Sequence, residues 1–373
     1  MANKLAIVQL GLGGVGRALV RQHLDLADRY PQLGYTALGD RSGLLVAERG
    51  LAAVDLERVL ELKAGGRSIA EAAGQLSGPA RLMEPSDSGL PDLGPLLVSA
   101  ARAGSVVVVD ATGDRTTHGT LLRARTLGAH VVMCNKWPLA VPFDRYEALM
   151  SAGGGANRIR FETTVGAALP VIGTLQMLLE TGDDVYRIEA SVSGTLGFVF
   201  TRLDAGEPFS AAVREAHRLG YTEPDPRDDL SGVDAQRKAL ILARVLGRRL
   251  DMADVRVESL VPASLQGAGL DEFWSRLPES DVEISARVEA AASRGCVLRY
   301  VATVDEGGAS AAVVEVPSGG QLGSLRGTES LFLFHTRRYH DQPLSIRGRG
   351  AGADITASGV MSDILSLLDP HTG

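Results

Sequence analysis

Asp234 and Lys238 stand four residues apart in a stretch whose apolar positions include Leu240, Ile241, Ala243 and Val245. That spacing predicts a helix over 233–246 with the carboxylate and the ammonium on one face. Directly ahead lies the densest polar segment of the chain, Gly220 to Asp234, with prolines at 224 and 226 and acids at 223, 225, 228, 229 and 234. The prolines make it a rigid loop, and Asp229 or Ser231 is available to cap the helix it opens onto. Two readings of the pair stand at this point. An exposed i,i+4 ion pair contributes only about 0.3–0.5 kcal/mol and has no further role. Alternatively, Lys238 is a general acid/base and the neighbouring acids hold an ammonium-bearing substrate.

A second chemistry is written near the start of the chain. Gly11-Leu12-Gly13-Gly14-Val15-Gly16 follows an apolar run, Lys4 to Leu10, and precedes a helix-like segment, Arg17 to Ala27. This is G-x-G-x-x-G in its strand–turn–helix setting. Gly11 permits the tight turn, Gly13 lets the backbone approach a pyrophosphate, and Gly16 lets helix and strand pack closely. The next strand, Tyr35 to Gly39, ends at Asp40-Arg41. The acid favours the free ribose hydroxyls of NAD and the arginine favours the 2′-phosphate of NADP, so the preference stays open here. Ser105 to Asp110 (SVVVVD) is a β-branched run ending in Ala111-Thr112-Gly113-Asp114, and Ala129 to Cys134 delivers Asn135-Lys136. Such loops at strand carboxyl ends are where open α/β sheets bind ligands.

The elements that must position these groups alternate between strand and helix patterns, which predicts a doubly wound parallel sheet of Rossmann type. Thr116 to Leu127 and most of Ala47 to Leu76 are read as helical, and 77–95 as a Pro/Gly-rich connection. Beyond it, Arg160 to Val165 and Tyr186 to Val192 are expected strands, and Val171 to Glu180 and Ser210 to Leu219 are expected helices. Four late strands, 297–305, 309–316, 331–336 and 344–347, suggest a sheet able to pair across a two-fold axis. A last helix over 354–368 returns to the first domain. The expected division is a dinucleotide-binding domain over 1–155 plus 350–373 and an α+β catalytic and dimerisation domain over 156–349.

The 373 residues, 45% of them apolar, are enough for two cores. A net charge of −7 with no long Lys/Arg run argues against nucleic-acid or anionic-membrane binding. No apolar stretch reaches the roughly 20 residues needed to span a bilayer, and no secretory signal pattern is read at the start. Two cysteines, Cys134 and Cys296, make no disulfide framework or metal spacing. A cytoplasmic protein is expected. His118, His217, His335 and His340 lack metal-like spacing and are read as structural or surface residues.

Phe161 to Pro170 (FETTVGAALP), Ser193-Gly194-Thr195-Leu196, Gly220 to Pro226 (GYTEPDP) with Asp234 and Lys238, Asn135-Lys136, and the late Gly348 to Ala353 (GRGAGA) occur in the order found in homoserine dehydrogenases. The chain resembles that family from Lys4 to about Leu368. The resemblance implies NAD(P)-dependent interconversion of L-aspartate 4-semialdehyde and L-homoserine, in threonine and methionine biosynthesis, by a homodimer. It also implies roles. Lys238 becomes the proton donor, with Asp234 beside it, and Lys136 a second catalytic lysine touching cofactor and substrate. Glu223, Asp229, Asp234 and Thr195 become substrate-binding. Gly11, Gly13, Gly14, Val15, Gly16, Asp40, Arg41, Thr112, Lys136, Gly220 and Gly352 become cofactor-binding. Glu162, with the carbonyls of Val165, Ala167 and Leu169, resembles the family's monovalent cation site, usually sodium. Arg349 departs from the small residue common in the late glycine loop. The resemblance further implies the short form, without an appended regulatory or kinase domain.

Two rival readings use the same residues. Cys134, at a strand end beside Asn135-Lys136, suggests an aldehyde dehydrogenase acting through a thiol. A dinucleotide sensor on a retired dehydrogenase fold is the other, against which stands the joint presence of Lys136, Glu223, Asp234 and Lys238.

Overall fold

The computed structural model describes residues 4–85, 90–154 and 158–368. Its first strand, β1 (Leu5–Leu10), is apolar but for Gln9, almost wholly buried, and runs into α1 (Gly14–Asp25). β2 (Leu33–Asp40) and β3 (Gly43–Val46) follow, then α2 (Ala53–Ala64), α3 (Ile69–Ala73), β4 (Arg81–Met83) and α4 (Gly94–Ala103). β5 (Ser105–Asp110), α5 (His118–Thr126), β6 (His130–Met133), α6 (Phe143–Ser151) and the short β7 (Ile159–Arg160) complete the first alternation.

These strands form one sheet in the order β4-β3-β2-β1-β5-β6-β7. From β2 to β7 the pairing is parallel. β3 and β4 are antiparallel additions at one edge, so the sheet is mixed rather than wholly parallel. β3 exists because Gly43, at φ 142°, reverses the chain after Asp40, and its residues lie in a fully buried apolar run that sequence spacing left unassigned. The chain leaves β1 toward β2 on one side and comes back as β5 on the other. Leu10 therefore pairs with both Gly39 and Asp110, which puts the glycine loop, Asp40-Arg41 and Ala111-Thr112 along one sheet edge. That reversal point is where such sheets bind ligands.

The second half contains α7 (Val171–Glu180), β8 (Val185–Ser191), α8 (Gly194–Asp204), α9 (Phe209–Arg218), the short α10 (Arg227–Leu230), α11 (Val233–Val245), β9 (Val255–Val257), α12 (Leu270–Arg276) and α13 (Asp281–Ala292). The strands β10 (Cys296–Asp305), β11 (Gly308–Pro317), β12 (Glu329–Thr336) and β13 (Leu344–Arg349) precede the last helix, α14 (Ala353–Leu365). A second sheet runs β13-β12-β8-β10-β11-β9. α11, buried along most of its length, packs on β9, β10 and β11.

Two local expectations are corrected. The strand read over 160–165 ends at Arg160, and Glu162–Thr164 forms a 3-10 turn in which the Thr164 hydroxyl donates to the Phe161 carbonyl (2.7 Å). Neither Asp229 nor Ser231 is the N-cap of α11. That place belongs to Gly232 at φ 71°, which has no capping side chain, and the Asp229 carboxylate is engaged elsewhere.

Two compact units result: the described residues up to Ala168 together with those from Gly352 onward, and Leu169–Ala351. The boundary lies after the 3-10 turn, later than the division at 155, which falls outside the described residues. In the first unit α14 packs on α1 and places Ala357, Val360, Met361 and Ile364 in the core with Leu5, Leu19 and Val107.

Candidate active site

In the first unit the loop between β1 and α1 is shaped by contacts only glycine allows. Gly11 has φ 96°, and a Cβ there would strike the Ala111 carbonyl; a Cβ on Gly16 would strike the Gly11 carbonyl. A Cβ on Gly13 would meet nothing. Beneath the loop the buried Gln9 amide donates to the carbonyls of Gly11 (2.8 Å) and Gly16 (3.0 Å), and its own oxygen accepts from Tyr35 (2.7 Å). α1 starts with no side-chain cap and no acid in its first turn, so its leading N–H groups and dipole favour an anion. Gln9 was not recognised from sequence. A polar residue inside an otherwise apolar strand was the available signal.

A cavity of about 730 Å³ opens over this loop, lined by Gly11, Gly13, Arg41, Lys63, Ser68 and Thr112 among others. Its size suits an extended ligand. The two residues that opposed each other in sequence differ sharply here. Asp40 accepts from the Lys63 ammonium (2.6 Å), the Ile69 N–H (3.0 Å), and the Ser42 N–H (2.8 Å) and hydroxyl (2.7 Å). Burial raises its pKa, and these donors more than reverse that, holding the carboxyl below its usual range. Arg41 is exposed and pairs with no partner among the described residues.

At the end of β5, Asp110 is wholly buried and ringed by donors, with Thr112, Thr117 and Asn135 around it. Asn135 leads into Lys136, which precedes the 3-10 turn Trp137–Leu139. Arg115 lies over the Trp137 ring, 4.1 Å from its centre. The thiol of Cys134 is pushed up to about 12, chiefly by burial and then by Asp110. A thiol raised in that direction is a poor nucleophile near neutral pH, which counts against the thiol reading.

In the second unit α11 carries the acid–lysine pair. The buried Lys238 ammonium donates to the Val192 carbonyl (2.7 Å), at the end of β8, and to Asp234 (2.8 Å), whose side chain is 46% exposed. This is no surface ion pair: the lysine side chain is only 11% exposed. Asp229 accepts from the Glu223 N–H (2.8 Å) and the Thr195 hydroxyl (2.9 Å), and that hydroxyl also meets the Tyr221 carbonyl. Burial first, then the neighbouring Asp234 and Asp228 charges, raise the Asp229 pKa despite those hydrogen bonds. Gly220 follows α9 at φ 72°. The Glu223 side chain is exposed and has no partner among the described residues. Thr195, Gly220, Glu223, Asp229, Asp234 and Lys238 thus belong to this unit, while Gly352 heads α14 in the first, at φ 123°.

The segment from Glu162 has an unusual backbone. Gly166 (φ 90°) is followed by Ala167 (φ 53°), the one described non-glycine residue with positive φ. The Glu162 N–H donates to Asp363 (3.1 Å), and the Leu169 carbonyl accepts from Val171 (2.8 Å). No cluster of three or more His, Cys, Asp or Glu side chains able to hold a metal occurs among the described residues.

A model of the homoserine dehydrogenase family matches residues 170–365. The homoserine dehydrogenase of Emericella nidulans is 38% identical over 289 residues, 72% of this chain and 77% of that one. The chain belongs to the homoserine dehydrogenase family. A bifunctional aspartokinase/homoserine dehydrogenase of Haemophilus influenzae is 36% identical over 365 residues, which is 96% of this chain but 42% of that protein, so the chain spans less than half of it. Among solved structures, a hyperthermophilic archaeal homoserine dehydrogenase mutant in complex with NADPH aligns with TM-score 0.72 and 26% identity, covering 98% of this chain and 97% of that one. The residues matched to the homoserine dehydrogenase family take in the whole Thr195–Asp229–Lys238 constellation.

Proposed function

We propose that this chain is an NADP-preferring homoserine dehydrogenase, interconverting L-aspartate 4-semialdehyde and L-homoserine on the route to threonine and methionine. The observation that carries the reading is Lys238, a buried ammonium set between a backbone carbonyl and Asp234 on a helix buried along most of its length. A structural lysine gains nothing from that position, whereas a proton donor to a developing alkoxide needs it.

The fit to a dinucleotide rests on the open face at Gly13, the uncapped start of α1 and the cavity above them. When bound, the nicotinamide supplies hydride exchange at its C4. The chain's own residues manage the rest. In the reducing direction Lys238 gives its proton to the aldehyde oxygen, and in the oxidising direction it takes the hydroxyl proton back. Asp234 holds Lys238 in place between these steps. Glu223 and Asp229 hold the substrate ammonium, Thr195 fixes Asp229, and Lys136 serves the cofactor and substrate together. Gly11, Gly13, Gly14, Val15 and Gly16 cradle the pyrophosphate; Thr112, Gly220 and Gly352 contact the nicotinamide half. The NADP preference follows from Asp40 and Arg41. A carboxylate that already accepts four hydrogen bonds cannot take the ribose hydroxyls, and an unpartnered guanidinium beside it suits a 2′-phosphate.

A monovalent cation, sodium, is proposed on the carbonyls of Val165, Ala167 and Leu169 with Glu162, supported by the left-handed turn at Gly166-Ala167. A homodimer joined through the six-stranded sheet and a cytoplasmic setting that keeps both free cysteines reduced complete the reading. No helix among the described residues is long and apolar enough to cross a membrane.

The test is turnover of L-homoserine at alkaline pH with NAD or NADP, beside Lys238→Ala. The expected result is NADP reduction that falls about 10²–10⁴-fold in the variant. Absence of turnover in folded wild-type protein that binds either cofactor would sink the assignment.

A further inference from the structure

Asp110 lies under the first unit's ligand edge without touching the cavity. Its Oδ1 accepts from the Thr112 N–H (3.0 Å) and hydroxyl (2.6 Å), and its Oδ2 from the Thr117 hydroxyl (2.7 Å) and the Asn135 amide (3.0 Å). The hydroxyl oxygens are themselves acceptors: Thr112 takes the Asp114 N–H (3.1 Å) and Thr117 the Asn135 amide (3.2 Å). Four donors thus surround the carboxyl, and burial nonetheless pushes it above its usual range. The second Asn135 amide hydrogen reaches the Asp114 carbonyl (2.8 Å), and the Asn135 oxygen accepts the Trp137 N–H (3.1 Å).

The consequence is mechanical. Two loops leave adjacent strand ends here: Ala111 to Thr117 after β5, which lines the cavity from Ala111 to Asp114, and Asn135 to Leu139 after β6, which carries Lys136. The strands themselves pair only as far as Asp110 and Met133. Beyond that point the two loops are joined through the Asp110 carboxyl and through the Asn135 amide, which also reaches the Asp114 carbonyl and the Thr117 hydroxyl, and the Arg115 guanidinium lies over the Trp137 ring. We propose that Asp110 is a positioning residue for hydride transfer: by binding Thr112, Thr117 and Asn135 at once, it sets the loop against which the nicotinamide rests and the backbone from which Lys136 projects. This rests on the first unit being an NAD(P) site. The wall and the lysine are thereby fixed to each other, so an error in one is an error in both.

A purely structural knot would lose stability on mutation and leave bound cofactor and turnover alone. A positioning residue does the opposite, and a displacement near 1 Å costs about 10²-fold in rate. Asp110→Asn keeps the shape but sets an amide N–H₂ against donors. The expected result is kcat lowered about 10²-fold with the KM for homoserine and the Kd for NADPH changed less than about threefold. The fluorescence lifetime of bound NADPH should also shorten toward that of the free cofactor, because the nicotinamide no longer sits in one setting. Thr117→Val, which removes a single donor and keeps the carboxyl, should show a smaller loss in the same sense, and it is the variant to read if Asp110→Asn does not fold. Wild-type lifetime and kcat in a folded variant would overturn the proposal. If wild-type protein binds NADPH but oxidises no homoserine, the reading of the substrate fails, and the lifetime alone still decides Asp110.

Discussion

A side chain can serve a ligand only with the hydrogen-bonding capacity its own fold leaves it. Asp40 and Arg41 are neighbours with opposite fates by that measure: the carboxylate is saturated from α2, α3 and its own turn, while the guanidinium projects unengaged. Arg41→Ala should therefore raise the KM for NADP about tenfold, worth about 1.4 kcal/mol, and leave that for NAD nearly unchanged. Steady-state kinetics with both cofactors measure this, and equal losses for both would remove Arg41 from 2′-phosphate recognition. None of that asymmetry was legible in the sequence, because Lys63 and the Ile69 N–H reach Asp40 from more than twenty residues away. Lys238 and Asp234 were legible, since their i,i+4 spacing is itself geometric. Asp110 was not: it reads as the polar end of a strand until Thr112, Thr117 and Asn135 are folded around it.

At the level of elements, α11 owes its place to Gly232. The residue is left-handed at φ 71°, and a Cβ there would collide with the Tyr300 hydroxyl, which donates to the Glu258 carbonyl (2.7 Å) and lies 3.1 Å from the Ala311 carbonyl. Gly232→Ala should cost about 2–4 kcal/mol, combining left-handed strain with overpacking. It should also lower kcat by shifting the first turn of α11, which carries Asp234. Urea unfolding and initial rates check both; unchanged stability would mean the tyrosine moves aside freely. The elements read most accurately from sequence, β5 and α7, are a continuous β-branched run and a strongly apolar helix, and their observed bounds equal the expected ones. α8 went unread because Gly194, Gly197 and its β-branched residues argue against a helix. It forms because Ser193 caps it (3.2 Å to the Leu196 N–H) and Leu196, Val199, Phe200 and Leu203 are buried together. α4 has a similar excuse in the Gly-Pro at its start.

Over the whole molecule the first core is assembled from distant parts of the chain. Ile364, fully buried, reaches a core begun at Leu5, and Ile364→Ala should lower stability by about 2–5 kcal/mol. Chemical denaturation followed by NADPH binding tests this, and an unchanged midpoint would show that α14 is dispensable to the cofactor unit. The general two-part organisation was legible because the glycine loop and the acid–lysine segment have such different compositions. The point of division was not, since the chain passes through a 3-10 turn where sequence pattern suggests a strand. A unit interrupted between Ala168 and Leu169 and resumed at Gly352 also has a schedule. During synthesis the segment up to Ala168 is made well before α14, which completes its core, whereas Leu169–Ala351 is contiguous and carries all of its own elements. The part begun first is finished last. Until then the face of α1 that α14 covers stays open.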